Sequence, residues 1–281
     1  MTHHFHLSAG AQPVLNTVLF NQCVASLGQP IKRLDNYAAW AATPSAELIA
    51  VAHQAEHDTA SLPAGLSWKD FSLLAMDMDS TLINIECIDE IADYCGKKAE
   101  VAAITEAAMR GEITDYNDSL RRRVALLKGL PISALAAVLK ERLSLNPGAE
   151  HLVNAAHQAG LETLLVSGGF TYFTDAMKAR LNLTHSRSNV LIETAGVLTG
   201  EVATPIVNAE LKRDTVQARC AALGVSTQRA IAMGDGSNDL VMMGVSGLSV
   251  AYHAKPAVVT KAQCAIRFGG LDTLNLWLSA A

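Results

Sequence analysis

Two carboxylates at the end of an apolar run constrain this chain more than any other stretch. The run Phe71-Ser72-Leu73-Leu74-Ala75-Met76 reads as a buried strand, and Asp77-Met78-Asp79-Ser80-Thr81 follows it directly. Residues at i and i+2 share a face of a continuing strand, and at a strand end both can turn toward one centre. Carboxylates buried side by side are costly unless a cation, a proton or hydrogen-bond donors compensate them. The rest of the chain must supply that compensation.

Beyond residue 146, helix and strand alternate. Residues 151–158 suit a helix, 161–166 a strand and 170–181 a helix. A hairpin is expected over 190–202 around Ala195-Gly196, a helix over 210–223, and strands at 229–233, 248–251 and 264–267. This alternation predicts an α/β fold with a Rossmann-like parallel sheet covered on both faces. Ligands of such sheets bind beyond the carboxyl ends of the strands. The polar clusters fall at those ends: Asp77 and Asp79, then Ser167-Gly168-Gly169, then Asp235 to Asp239.

Residues 83–145 carry only helical stripes, among them Ile88, Ile91, Ala92 and Cys95, and then Tyr116, Leu120, Val124 and Leu127. Asn146-Pro147-Gly148 ends them. The expected division is therefore a core over 69–82 and 146–281, an inserted helical cap over 83–145, and a short N-terminal extension over 1–68 of unassigned role. Within the extension Leu15, Val18, Leu19 and Cys23 fit a helical face, 44–57 suits a helix, and 61–67 reads as a linker. His3, His4 and His6 read as a solvated, frayed terminus rather than a metal site, and no strand-rich pattern stands out.

Composition narrows the function classes. At 281 residues the chain can bury a large core, and 50% hydrophobic against 17% charged residues argues against disorder. A net charge of -5 gives no reason to expect nucleic acid as a partner. No apolar run approaches the ~20 residues of a membrane span. No Lys or Arg precedes Lys32, so the start lacks the basic region of a secretory signal. The five cysteines are odd in number and none forms Cys-x-x-Cys, which fits reduced thiols in a cytoplasmic protein.

A carboxylate attacking phosphorus faces an anionic electrophile and needs a cation to offset the repulsion. Gly234-Asp235-Gly236-Ser237-Asn238-Asp239 offers two further carboxylates on a tight turn, and oxygen ligands of this kind favour Mg2+. Either stretch alone is compatible with a solvated glycine turn; together they meet one specific need. Asp79 suits the general acid–base, and its pKa has to be raised for that role. Ser167-Gly168-Gly169 opens a helix and can receive phosphate oxygens on backbone N–H groups. Lys212 can hold a phosphate as a point charge. No G-x-x-x-x-G-K-[ST] occurs, which disfavours a P-loop kinase.

Asp77-x-Asp79-x-Thr81, Ser167-Gly168-Gly169, Lys212 and Gly234-Asp235-Gly236-x-Asn238-Asp239 resemble, in order, the four motifs of the haloacid-dehalogenase phosphatase superfamily. Residues 77–92 (DMDSTLINIECIDEIA), 119–128 (SLRRRVALLK), 167–170 and 251–256 (AYHAKP) are similar to the phosphoserine phosphatase family, and the resemblance covers roughly residues 70–270. It implies that Asp77 is the nucleophile and Asp79 the acid–base. It also implies Mg2+ on Asp77, the backbone carbonyl of Asp79, and Asp235, with Asn238 and Asp239 in support. Phosphate would lie on Ser167, Gly168 and Lys212, with Gly169 beside them. Glu86 matches the family's ammonium contact and Arg123 its carboxylate contact, while Met109 and Tyr116 match cap positions that line the pocket. The implied substrate is the small molecule O-phospho-L-serine, hydrolysed to L-serine and phosphate in the last step of serine biosynthesis. The alternative is a phosphotransferase passing the group from Asp77 to another alcohol, since the same residues serve both. Many family members carry an amino-acid-binding regulatory module before the core, and residues 1–68 lack the strand-rich pattern expected of one.

Overall fold

The computed structural model describes residues 2–110 and 112–279. The chain opens with β1 (His3–Ser8), α1 (Thr17–Leu27), β2 (Lys32–Leu34), β3 (Tyr37–Trp40), α2 (Ala46–Gln54) and β4 (Asp58–Pro63). These strands form one antiparallel sheet in the order β2-β3-β1-β4, a βαββαβ unit. Residues 1–68 are therefore strand-rich, contrary to the sequence-based expectation. His3, His4 and His6 lie in a central strand, and residues 61–63 belong to β4 rather than to a linker.

The physical reason is burial on both faces. Phe5, Leu7, Ala38 and Trp40 pack under α1 and α2 with Leu19, Phe20, Cys23 and Leu48. Tyr37, Ala39, Ala60 and Leu62 turn the other way and join the main core. Such strands lack the polar–apolar alternation of a half-exposed sheet. His6 sits among them, accepting or donating one hydrogen bond with the Tyr37 hydroxyl at 2.7 Å. Burial pulls its pKa down to about 4, so the ring is neutral and tolerated there.

The main sheet begins with β5 (Leu73–Met76). Four helices follow: α3 (Cys87–Tyr94), α4 (Lys98–Met109), α5 (Tyr116–Ala125) and α6 (Ile132–Glu141). The chain then returns through α7 (Ala149–Gln158), β6 (Glu162–Phe170), α8 (Thr171–Leu181) and β7 (His185–Asn189), and makes a hairpin of β8 (Leu191–Thr194) and β9 (Val197–Val202). It finishes with α9 (Ala209–Ala222), β10 (Ala230–Gly234), α10 (Leu240–Val245), β11 (Leu248–Tyr252), α11 (Pro256–Val259), β12 (Cys264–Ile266) and α12 (Thr273–Leu278). The six core strands run in the order β12-β11-β10-β5-β6-β7, and every neighbouring pair is parallel. The expected α/β class with a Rossmann-like parallel sheet is borne out.

Alternation along β5 explains the layering. Leu73 and Ala75 face α9 and α10, joining Val216, Cys220, Met242 and Met243. Leu74 and Met76 face the opposite layer, with Leu152, Phe173 and Trp277. The strand order sets β10, β5 and β6 side by side, so their carboxyl ends present Asp235, Asp77 and Ser167 next to one another. The edge strand β7, with the polar sequence HSRSN, carries no apolar signal and was not expected. The β8–β9 hairpin was expected, and it pairs with the α5–α6 connection: Gly129 N–H donates to Leu198 O and Leu198 N–H to Leu130 O, both at 2.8 Å.

Besides apolar packing, a buried carboxylate fastens the antiparallel unit to the core. Asp58, fully buried at the start of β4, accepts backbone N–H groups from Arg267 at 2.6 Å, Phe268 at 3.1 Å and Gly269 at 2.7 Å. Trp277 Nε1 adds a bond to Ser8 Oγ at 2.8 Å. Removing the carboxylate strands three donors in a dry junction. Asp58→Ala is expected to lower stability by about 2–4 kcal/mol, read as a fall in the urea midpoint. A midpoint equal to that of the parent chain would show that the junction is not held this way.

Candidate active site

The chain turns sharply after β5. Asp77 N–H donates to Met233 O at 3.0 Å, which keeps the loop registered on β10. Ser80 takes a left-handed backbone with φ of 56°, and its N–H reaches Ile85 O at 3.1 Å. The reversal places Asp77 and Asp79 at the same strand end and brings Glu86, which caps α3, back over the loop. Ser80 Oγ donates to Glu86 Oε1 at 2.7 Å.

Lys212, on the first turns of α9 and only 1% exposed, lies 2.8 Å from Asp77 Oδ1 and 2.8 Å from Asp239 Oδ1. Burial alone would lower its pKa, but Asp239 and Asp77 more than offset this and hold it above its ordinary value. Asp239 also accepts Gly236 N–H at 3.1 Å, so both of its oxygens are engaged. Burial and the Asp77 charge push Asp239 up to about 7, against the pull of Lys212. Asp235 is half-buried and accepts the Thr81 hydroxyl at 3.1 Å. Burial and Asp77 raise its pKa as well.

Asp79 has the most extreme setting. Its Oδ1 has no hydrogen-bond partner among the described residues. Burial, then the nearby Glu86 and Asp77, push its carboxyl well above the usual carboxylate range. A carboxyl raised in this way keeps its proton to higher pH than an ordinary carboxylate and can donate it. Gly169 backs onto it: a Cβ there would stand 2.9 Å from Asp79 Oδ2 and 2.9 Å from Met78 Cε, so a larger residue would push these side chains aside. Ser167 Oγ accepts Gly169 N–H at 2.8 Å. The Tyr116 hydroxyl, from α5, occupies the space a side chain at Gly168 would need.

The remaining expected residues fall around this centre. Asn238 lies half-buried on the turn after β10, its Oδ1 against Gly236. Arg123 is half-buried on α5, one helical turn beyond Ser119, whose carbonyl accepts its Nε at 3.4 Å. Its charge reaches Tyr116 and Asp89. Met109 ends α4, and its side chain lies outside the described residues. Two residues that sequence reasoning missed are Asn146 and Asn189. Asn146 Nδ2 donates to Thr81 O at 2.8 Å and Ile83 O at 3.0 Å. Asn189 Nδ2 donates to Gly168 O at 2.8 Å. An asparagine beside a turn carries no motif signal, so neither was legible.

Carboxylate oxygens of Asp77, Asp235 and Asp239 all lie within 4.8 Å of one another. This hard-oxygen set fits a divalent cation such as Mg2+. Because Asp239 is committed to Lys212 and Gly236, Asp77 and Asp235 are the members with donor capacity to spare.

A family model described as haloacid dehalogenase-like hydrolase matches residues 74–244. This chain belongs to that family. A phosphoserine phosphatase from Polaromonas sp. (strain JS666) is 59% identical over 213 residues, covering 74% of this chain and 90% of that protein. Among solved structures, the unliganded probable phosphoserine phosphatase from Vibrio cholerae superposes with a TM-score of 0.86 at 36% identity. That superposition covers 99% of this chain and 86% of the other, so it includes the antiparallel unit. A substrate-bound phosphoserine phosphatase complex gives a TM-score of 0.69 at 35% identity and covers 74% of this chain and 98% of its own. No helix of the described residues is long and apolar enough to cross a membrane.

A haloacid dehalogenase-like site with this much buried acid carries a pH signature. The folded pKa of Asp79 lies above its unfolded value, so its contribution to stability is complete below about pH 4 and is lost as pH rises through the folded pKa. In EDTA, Asp79→Asn is expected to gain thermal stability relative to the parent chain progressively as pH rises above about 4. A difference in Tm that stays constant across that range would place the Asp79 pKa at its ordinary value.

Proposed function

We propose that this chain is a magnesium-dependent phosphoserine phosphatase, hydrolysing O-phospho-L-serine to L-serine and phosphate through a phosphoryl-Asp77 intermediate, the last step of serine biosynthesis. The observation that carries the reading is the pairing of a lysine-held carboxylate, Asp77, with a half-buried neighbour, Asp79, whose carboxyl is pushed well above the usual carboxylate range. The family membership and the substrate named for the Polaromonas relative support it.

In the first step an Asp77 carboxylate oxygen attacks phosphorus and the bond from phosphorus to the serine oxygen breaks. Asp79 gives its proton to the departing alkoxide. In the second, water attacks the acyl phosphate, Asp79 takes a proton from it, and phosphate leaves with the Asp77 carboxylate restored. Lys212 offsets the charge on Asp77 and on the incoming phosphate. Ser167, Gly168 and the N–H groups of that turn receive the phosphate oxygens, with Gly169 N–H beside them. Asp77, Asp235 and the Asp79 carbonyl would hold Mg2+, with Asn238 and Asp239 in support; the bound ion supplies charge neutralisation for a carboxylate approaching an anion.

Selectivity would come from the helical segment over the core. Glu86 would meet the ammonium group and Arg123 the carboxylate, where a guanidinium can bind bidentately. Tyr116 and Met109 would line the closed pocket. Closure would keep water from the first step.

The direct test is phosphate release from O-phospho-L-serine with Mg2+ and with EDTA. Strong Mg2+-dependent turnover is expected, and Asp77→Asn should abolish it; a folded Asp77→Asn variant that still turns over would end the covalent mechanism. Arg123→Ala should raise KM for O-phospho-L-serine by about 10–100-fold, the scale of a lost charge-assisted bidentate contact. It should change KM for p-nitrophenyl phosphate far less. Equal effects on both esters would remove Arg123 from substrate recognition.

A further inference from the structure

The peptide joining Gly168 and Gly169 is held at both ends. Its N–H, on Gly169, donates to Ser167 Oγ at 2.8 Å, and its carbonyl, on Gly168, accepts Asn189 Nδ2 at 2.8 Å. The N–H and C=O of a trans peptide point in opposite directions. Fixing the carbonyl toward Asn189 therefore fixes the N–H toward Ser167 Oγ.

This peptide has unusual freedom to lose. Glycines flank it on both sides, so no side chain resists its rotation. The ladder between β6 and β7 also lapses here, because the register shifts between Val166 and Phe170. Asn189, the last residue of β7, supplies the donor for Gly168 O from its side chain. It is only 1% exposed. Its other end is matched as well: Oδ1 accepts the Val207 N–H at 2.8 Å. Val207 precedes Asn208, whose side chain caps α9, the helix that carries Lys212. One carboxamide thus spends its donor on the turn after β6 and its acceptor on the approach to the lysine helix, a combination that neither Asp nor a fully apolar residue offers.

We infer that Asn189 is a positioning residue that clamps the Gly168–Gly169 peptide so that its N–H holds the Ser167 hydroxyl in place for the phosphoryl group, and that it sets the spacing between that turn and Lys212. The inference rests on the phosphomonoester reading of the site given above. A peptide rotated the other way turns the Gly168 carbonyl toward Ser167 and breaks the bond that orients that hydroxyl. Asn189 touches no substrate; it acts through the peptide it holds.

Asn189→Asp keeps the size and the acceptor but removes the donor. Its KM for O-phospho-L-serine and its inhibition constant for inorganic phosphate should both rise about tenfold, the scale of one lost hydrogen bond to a charged group. The Mg2+ concentration for half-maximal activity should stay at the parent value. Asn189→Ser, which is uncharged, gives the same readings if the buried carboxylate blocks folding. A residue that only supports the fold would lower Tm and leave both constants unchanged, and that result overturns the clamp. A measurement on the parent chain needs no variant: the Gly169 amide resonance should shift on titration with inorganic phosphate, and an unmoved resonance in a chain that binds phosphate overturns the inference. If the parent chain binds phosphate yet leaves O-phospho-L-serine intact, the substrate assignment fails while the clamp is still read from that titration.

Discussion

A buried lysine between two carboxylates holds this site together. Lys212 is almost fully withdrawn from solvent, and it lies 2.8 Å from both Asp77 and Asp239. Breaking a buried pair leaves an uncompensated charge, at a cost of about 3–5 kcal/mol. The two acids come from the ends of neighbouring strands, β5 and the turn after β10, and the base from α9. The ion triplet therefore fixes how α9 docks on the sheet. It also determines what stays available: with Asp239 satisfied by Lys212 and Gly236, Asp77 and Asp235 are the acids of the cluster with an oxygen to spare.

Besides its pairing with the β8–β9 hairpin, the helical segment above the centre is joined to the core at a narrow neck. Its two legs meet in a short antiparallel contact between Ile83 and Leu145. Asn84 N–H donates to Ser144 O at 3.0 Å, and Asn146 N–H to Leu82 O at 3.0 Å. The Asn146 side chain then ties this root to the Thr81 carbonyl, and the Thr81 hydroxyl is bonded to Asp235. The neck of the helical segment and the carboxylate cluster are thus joined through Thr81. The neck therefore bears on the same loop that carries Asp77 and Asp79.

Much of this was legible in the sequence because the core obeys local rules. Leu73 to Met76 and Ala230 to Gly234 are continuous apolar runs followed by carboxylates, and a parallel sheet places such runs side by side with their carboxyl ends together. Lys212 and Asp239 were legible as members of motifs, whereas the bonds between them depend on how α9 packs. The N-terminal unit was not legible. Its β3, Tyr37-Ala38-Ala39-Trp40, is covered by helices on one side and the core on the other, so period-2 contrast disappears. β1 hides its role behind three histidines, of which His6 is made neutral by burial. The polar edge strand β7 and its Asn189 gave no signal for a related reason: their importance lies in hydrogen bonds to distant backbone, which composition does not record.

The pairing of the β8–β9 hairpin with the α5–α6 connection has a consequence for how the chain is made. The hairpin lies beyond β6, α8 and β7 in the sequence, yet it supplies Gly129 and Leu130 with their partners. Synthesis proceeds at about 5–20 residues per second, so the helical segment leaves the ribosome several seconds before the strands that finish it. The N-terminal unit, whose sheet pairs only its own strands, can begin to close during that interval, while the face carrying Tyr37, Ala39, Ala60 and Leu62 waits for the core. The catalytic half must wait for its C-terminal third, including Lys212 and the Asp235 turn, and nascent chains carry the Asp77 loop without its counter-charge until then.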